Sequence, residues 1–208
     1  MNKIYYLNIE QLYNPEIYTK ALKALSDERK RKANSIKHPS GKCRSVGAGY
    51  LIATGLKDAG LDPLTERVCL SSKGKPFLPD HPDVHFNVSH SGKYVVCAFA
   101  DKTVGIDIEE IHEIKPELIK YALDKKEIAE YEDTPAEKQI RRFFELWTKK
   151  EAFLKHIARG LSVRPADINS QFADKIARLN FYVWHDIPGY VLTLCSDLDR
   201  PILTEVVL

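Results

Sequence analysis

The chain has 208 residues, with 31 Lys and Arg against 29 Asp and Glu, a formal net charge of +2, and 44% hydrophobic residues. That length allows one large domain or two small ones, and a core that buries roughly 70% of the unfolded surface with no metal or disulfide staple. The near-zero charge argues against a dedicated nucleic-acid binder, no apolar run of about 18 residues predicts a membrane span, and the N-terminus lacks the apolar stretch of a signal peptide.

Lys3 to Ile9 is rich in β-formers and predicts an opening strand. A helical pattern runs from about Pro15 to Ile36 with a restart at Ser26-Asp27-Glu28. A second helix follows from Ser40, as N-cap, to Ala59, stopped by Gly60. Lys73-Gly74-Lys75-Pro76 and Pro79-Asp80-His81-Pro82 punctuate the chain. Strands are predicted at Val84–Val88, Tyr94–Ala100 and Thr103–Ile108, helices between about Pro116 and Gly160, and strands again at Phe181–Trp184, Tyr190–Cys195 and Ile202–Val207. Each half thus holds a helical block followed by β-rich sequence. The expected class is α+β, with two similar halves, residues 1–102 and 103–208, packed tightly because no Gly/Ser linker separates them. Cys43, Cys69, Cys97 and Cys195 form no CxxC pair and read as free thiols in a reducing cytoplasm.

Three carboxylates stand out. Val104, Ile106 and Ile108 alternate with Gly105, Asp107 and Glu109, so the two acids share one strand face and repel each other unless a positive charge lies between them. A lone DxE is more often a solvated edge. Glu151 alters that balance, because the helix Glu137–Arg159 carries an apolar stripe in which steps from Trp147 and from Leu154 both land on it. A glutamate in a buried stripe needs a partner or a metal. Lys155, at i+4, is the plain partner. The alternative is an all-oxygen site formed by Asp107, Glu109 and Glu151, which suits Mg²⁺ or Mn²⁺.

Ser89, His90, Ser91 and Gly92 end a strand with groups able to donate to phosphate oxygens, while the absence of a GxSxG elbow weakens a hydrolase reading. Basic residues gather at Arg29 and Lys32, which share a helix face, at Lys42 and Arg44, and at Lys73 and Lys75. Each alone is usually a solvated charge; together they could clamp a polyphosphate. Asp124-Lys125-Lys126-Glu127 fits a capping box, which accounts for Glu127 by itself.

With these residues assembled, the sequence resembles the two-domain, Sfp-type 4'-phosphopantetheinyl transferases. FNVSHS (86–91), GIDIE (105–109) and WTKKEAFLK (147–155) carry the resemblance, with GKP (74–76) before them and GLS (160–162) after. The resemblance implies a monomeric pseudo-dimer of two α+β halves with coenzyme A in the cleft between them. It implies Mg²⁺-dependent transfer of phosphopantetheine from coenzyme A to a serine of an apo acyl or peptidyl carrier protein, releasing 3',5'-ADP, with neither nucleic acid nor membrane as partner. By the same resemblance Asp107, Glu109 and Glu151 hold the metal, and Lys155 contacts the transferred phosphate. Ser89 and His90 bind phosphate, Lys75 lies near the adenine, Arg29, Lys32 and Arg44 surround the 3'-phosphate, and Glu127 or a metal-polarised water is the general base. Two other readings stay open on the residues alone: a Mg²⁺-dependent phosphohydrolase or nuclease, and a non-catalytic binding module.

Overall fold

Alternation along the strands decides how the molecule is layered. The computed structural model describes residues 2–159, 163–197 and 201–208, so the 160–162 motif lies outside the described residues. Strands β1 (Lys3–Asn8) and β5 (Tyr94–Ala100) pair antiparallel, with Tyr5 opposite Cys97. Successive side chains on them enter different cores. Tyr5, Leu7, Val95, Cys97 and Phe99 pack with Val46, Leu51 and Leu56 of the helix α3 (Pro39–Asp58). Ile4, Val96, Ala98 and Ala100 instead meet Val104, Ile106 and Ile108 of β6 (Val104–Glu110) and Leu192 and Leu194 of β8 (Tyr190–Ser196).

The first sheet has the order β4-β5-β1-β9, with β4 spanning His85–Ser91 and β9 spanning Ile202–Glu205. The second has the order β6-β8-β7, all antiparallel, with β7 at Asn180–Trp184. The long helix α6 (Ala136–His156) covers the far face of the second sheet, against β6 and β8. The layers therefore run α3, first sheet, second sheet, α6, in keeping with the α+β expectation. Helices α1 (Pro15–Lys23) and α2 (Asp27–Ser35) lie beside α3, and α5 (Lys125–Glu132) lies beside α6. Helices α4 (Pro116–Ala122) and α7 (Ile168–Ile176) complete that side. A small hairpin, β2 (Cys69–Leu70) with β3 (Pro76–Phe77), turns through Gly74. All four cysteines are free thiols. Among the described residues no helix is long and apolar enough to cross a membrane.

Three local expectations change. The helix expected from Ser40 begins at Pro39, with His38 as N-cap. Ser40 lies inside the first turn, its hydroxyl 2.8 Å from His38 Nδ1, because Pro at the first helical position needs no N–H partner. β4 extends to Ser91, so the whole FNVSHS run is strand. The last strand is confined to Ile202–Glu205 and crosses back to pair parallel with β1, Tyr5 opposite Thr204, so the C-terminal end extends the sheet of the first half.

Gly105 permits α6 to lie directly on β6. A Cβ at this position would fall 2.0 Å from the carbonyl oxygen of Ala152 and 2.3 Å from the backbone nitrogen of His156. Neither is the end of a flexible side chain, so the helix itself must shift. Gly105→Ala is expected to lower unfolding stability by about 3 kcal/mol. Urea denaturation checks this, and an unchanged midpoint would show that the contact is not tight.

Candidate active site

The polar face of β4 joins the two sheets. Asn87, Ser89 and Ser91 point toward β6: Asn87 Oδ1 accepts from the Ile106 amide at 2.9 Å, Ser89 donates to Asp107 Oδ1 at 2.8 Å, and Ser91 donates to Glu109 Oε2 at 2.7 Å. The period of two in both strands makes this ladder, hydroxyl to carboxylate, twice in succession. α6 closes the site from above with Trp147, Glu151 and Lys155. One pocket of about 300 Å³ is lined by Ser89, His90, Asp107, Glu109, Trp147, Glu151 and Lys155. The three predicted carboxylates therefore share a single hollow.

Its charges are unevenly satisfied. Lys155 does not pair with Glu151, its i−4 neighbour on the helix. Its ammonium donates instead to Asp107 Oδ1 at 2.7 Å and to Ser89 Oγ at 2.8 Å. Asp107 Oδ2 and Glu151 Oε1 are buried without a hydrogen-bond partner. Burial pushes the Glu151 carboxyl up to about 7, and the negative charges of Asp107 and Glu109 add to the effect against the opposing Lys155. Glu109 is also raised, first by burial and then by Asp107, although Ser91, Lys155 and Trp147 pull the other way. Partial desolvation, then Arg44 and Lys155, lower the imidazole of His90.

Among the described residues no three His, Cys, Asp or Glu side chains approach closely enough to form a ready-made cation cage. The donor set nonetheless fits a hard cation. Asp107, Glu109 and Glu151 offer only carboxylate oxygens, and two of these are buried and unpartnered, a costly state that a divalent ion would relieve.

A second hollow, of about 510 Å³, adjoins the first at Val88 and His90, which line both. Arg29, Lys32 and Arg44 supply its charge, while Ile52, Val68, Leu70 and Pro76 supply apolar surface. Arg44 is braced by the Gly92 carbonyl at 3.2 Å, and Arg29 by the Ser45 carbonyl at 3.0 Å; burial lowers the Arg29 pKa. Gly92 has φ +49° and stands where a Cβ would strike the Tyr190 hydroxyl at 2.3 Å, so this turn needs glycine to present that carbonyl.

Two predicted site residues lie elsewhere. The Lys75 ammonium turns away from the basic groove, donating to the carbonyls of Val104 at 2.8 Å and His156 at 3.0 Å. Burial there lowers its pKa to about 8. Its neighbours Gly74 and Pro76 line the groove in its place. Glu127 completes the expected capping box with Asp124 and does not line the carboxylate pocket; it pairs with buried Lys150. Trp147 lines the pocket without having been singled out as a site residue, and Ser91 supports it from beside Glu109. Ser91 was findable as the same-face neighbour of Ser89 in FNVSHS.

Residues 103–196 match the 4'-phosphopantetheinyl transferase superfamily. The chain is 28% identical over 205 residues to 4'-phosphopantetheinyl transferase Sfp of Bacillus subtilis, covering 93% of this chain and 92% of that one. It is 35% identical over 165 residues to a 4'-phosphopantetheinyl transferase of Bacillus subtilis, covering 77% and 72%. It is 41% identical over 102 residues to 4'-phosphopantetheinyl transferase gsp of Aneurinibacillus migulanus, covering 49% and 41%. The clustered carboxylates, the adjoining basic groove and these similarities lead to one conclusion: the chain belongs to the Sfp-type 4'-phosphopantetheinyl transferases, enzymes that transfer phosphopantetheine to carrier proteins with coenzyme A as substrate.

Proposed function

We propose that coenzyme A lies along the two adjoining hollows, its nucleotide in the basic groove and its pyrophosphate over the carboxylate pocket. The observation that carries this reading is that Val88 and His90 line both hollows, making one path from cationic to anionic surroundings. Residues 1–102 and 103–208 would then be the two halves of a monomeric pseudo-dimer, with the substrate in the cleft between them.

In this reading Arg29, Lys32 and Arg44 take the 3'-phosphate, and the apolar wall of Ile52, Val68 and Leu70 takes the adenine. The adenine contact implied for Lys75 passes to its neighbours Gly74 and Pro76, because its ammonium is spent on two carbonyls. Asp107, Glu109 and Glu151 would hold Mg²⁺ or Mn²⁺. When bound, that ion neutralises charge on the pyrophosphate and on the departing 3',5'-ADP. Lys155 and His90 donate to phosphate oxygens as negative charge shifts toward the leaving group. Ser89 and Ser91 keep Asp107 and Glu109 in place through their hydroxyls. The carrier serine oxygen forms a bond to the β-phosphorus while the bond to the bridging anhydride oxygen breaks and the hydroxyl proton passes to water, so holding both reactants in line contributes much of the rate.

The test incubates the protein with coenzyme A, Mg²⁺ and a panel of apo-carrier domains, then reads intact mass. A mass gain of one phosphopantetheine, lost with a chelator and regained with Mg²⁺, is expected. Cleavage of coenzyme A without any carrier would favour the phosphohydrolase alternative. Arg44→Ala is expected to raise the KM for coenzyme A about tenfold, the worth of one charge-assisted phosphate contact, with kcat little changed. The same variant should distinguish coenzyme A from dephospho-coenzyme A less sharply than the parent, Arg29 and Lys32 keeping the remainder. Undiminished discrimination would remove Arg44 from the 3'-phosphate site.

A further inference from the structure

Glu127 has the chemistry of a proton acceptor but not the setting of one. Its side chain is buried, and its two oxygens receive the Asp124 amide at 2.8 Å, the Asn169 amide nitrogen at 2.8 Å and the Lys150 ammonium. Three of roughly four lone-pair directions are thereby filled. Lys150 is 4% exposed, and its ammonium also donates to the Ala122 carbonyl at 2.7 Å. This cluster ties the end of α4, the start of α5 and a side chain of α7 to one point on α6.

That point lies one residue before Glu151. Neighbouring helix residues project about 100° apart, so fixing Lys150 fixes the direction of Glu151, and of Lys155 one turn further along the same face. The sliding of α6 over the second sheet is limited separately by the Thr148–Thr193 hydroxyl contact at 2.7 Å. Rotation of the helix is what the buried ion pair controls.

We propose that Glu127 and Lys150 form a buried charge clamp that sets the rotation of α6 and so aims Glu151 and Lys155 into the pocket. Glu127 is a positioning residue, not the base that the resemblance implies. This inference rests on the reading of the carboxylate pocket given above. Its physical signature follows from the asymmetry of buried ion pairs: deleting one partner strands a charge, whereas replacing both with neutral groups of similar volume is nearly harmless.

The test compares Glu127→Gln, Lys150→Met and the double variant. Each single variant is expected to lose at least tenfold in kcat, with the KM for coenzyme A changed less than threefold, since the basic groove lies on the other half. Each should also lose most of the rise in melting temperature that Mg²⁺ alone produces. The double variant should recover kcat to within about fivefold of the parent and regain the Mg²⁺ shift. A base role predicts the opposite, a double variant as inactive as Glu127→Gln. An inactive or unfolded double variant overturns the clamp. Glu151→Ala, run in parallel, separates the two claims: transfer retained there would defeat the carboxylate-pocket reading itself, whatever the clamp variants do.

Discussion

Glu151→Gln is expected to abolish transfer, by a factor of about 10³ or more, while making the metal-free protein more stable. Loss of activity follows from removing one of three carboxylates around the proposed cation, a change on the scale of a lost electrostatic contact to the transition state. The gain in stability follows from the burial of a carboxyl that has no hydrogen-bond partner for Oε1. Its pKa stands at about 7 in the folded chain against an ordinary value of 4.5. The folded state therefore holds this proton more tightly than the unfolded state does. Stability contributed by the protonated form is complete below pH 4.5 and declines as pH rises through 7. At pH 8 the deficit is on the order of 2 kcal/mol, after allowing for partial solvent access. The variant should accordingly melt above the parent at pH 8, and the difference should vanish near pH 4.5. Mg²⁺ should raise the melting temperature of the parent at pH 8, much less at pH 5.5, and hardly at all in the variant. An active variant, or one that melts lower than the parent at pH 8, would break the link between this carboxylate and a bound cation.

The residues that local pattern could identify were those whose role is set by a single strand or helix. Alternation in β6 placed Asp107 and Glu109 on one face and left Gly105 free to meet α6, because a period of two needs no knowledge of the partner. The apolar stripe of α6 exposed Glu151 as a misplaced charge. The same stripe points to Lys150, four residues after Leu146 and four before Leu154, although only the structure shows that it meets Glu127. What pattern could not supply was the choice between competing partners. Lys155 has a glutamate at i−4 and an aspartate 48 residues away, and it takes the aspartate because Asp107 and Ser89 converge beneath it. Lys75 sits beside a turn glycine and reads as a surface cation, yet the layering of α6 against β6 leaves two carbonyls at the seam for it to satisfy. The return of β9 to the first sheet has no local signal, since a parallel neighbour is selected by the free edge of β1.

Lys155→Met should also end transfer, with the opposite effect on stability. Asp107 is 3% exposed, and among the described residues the Lys155 ammonium is the charged group that pairs with it. Removing it leaves a buried carboxylate with Ser89 as its one side-chain donor, at a cost of about 3 kcal/mol. Mg²⁺ offers a substitute positive charge, so the rise in melting temperature it produces at pH 8 should be larger in this variant than in the parent. Transfer should nevertheless stay at least 10³-fold down, because the proposed cation among the carboxylates would not replace the ammonium proposed to donate to the transferred phosphate. Circular-dichroism melts with and without Mg²⁺, beside intact-mass assays of an apo-carrier, decide the matter. A variant as stable as the parent would show that Asp107 does not depend on Lys155. Restoration of transfer by Mg²⁺ alone would show that the lysine serves only to balance charge. Two inactive variants whose melting temperatures move in opposite directions are the expected mark of a pocket in which Lys155 pairs with Asp107 and leaves Glu151 Oε1 without a partner until a cation binds.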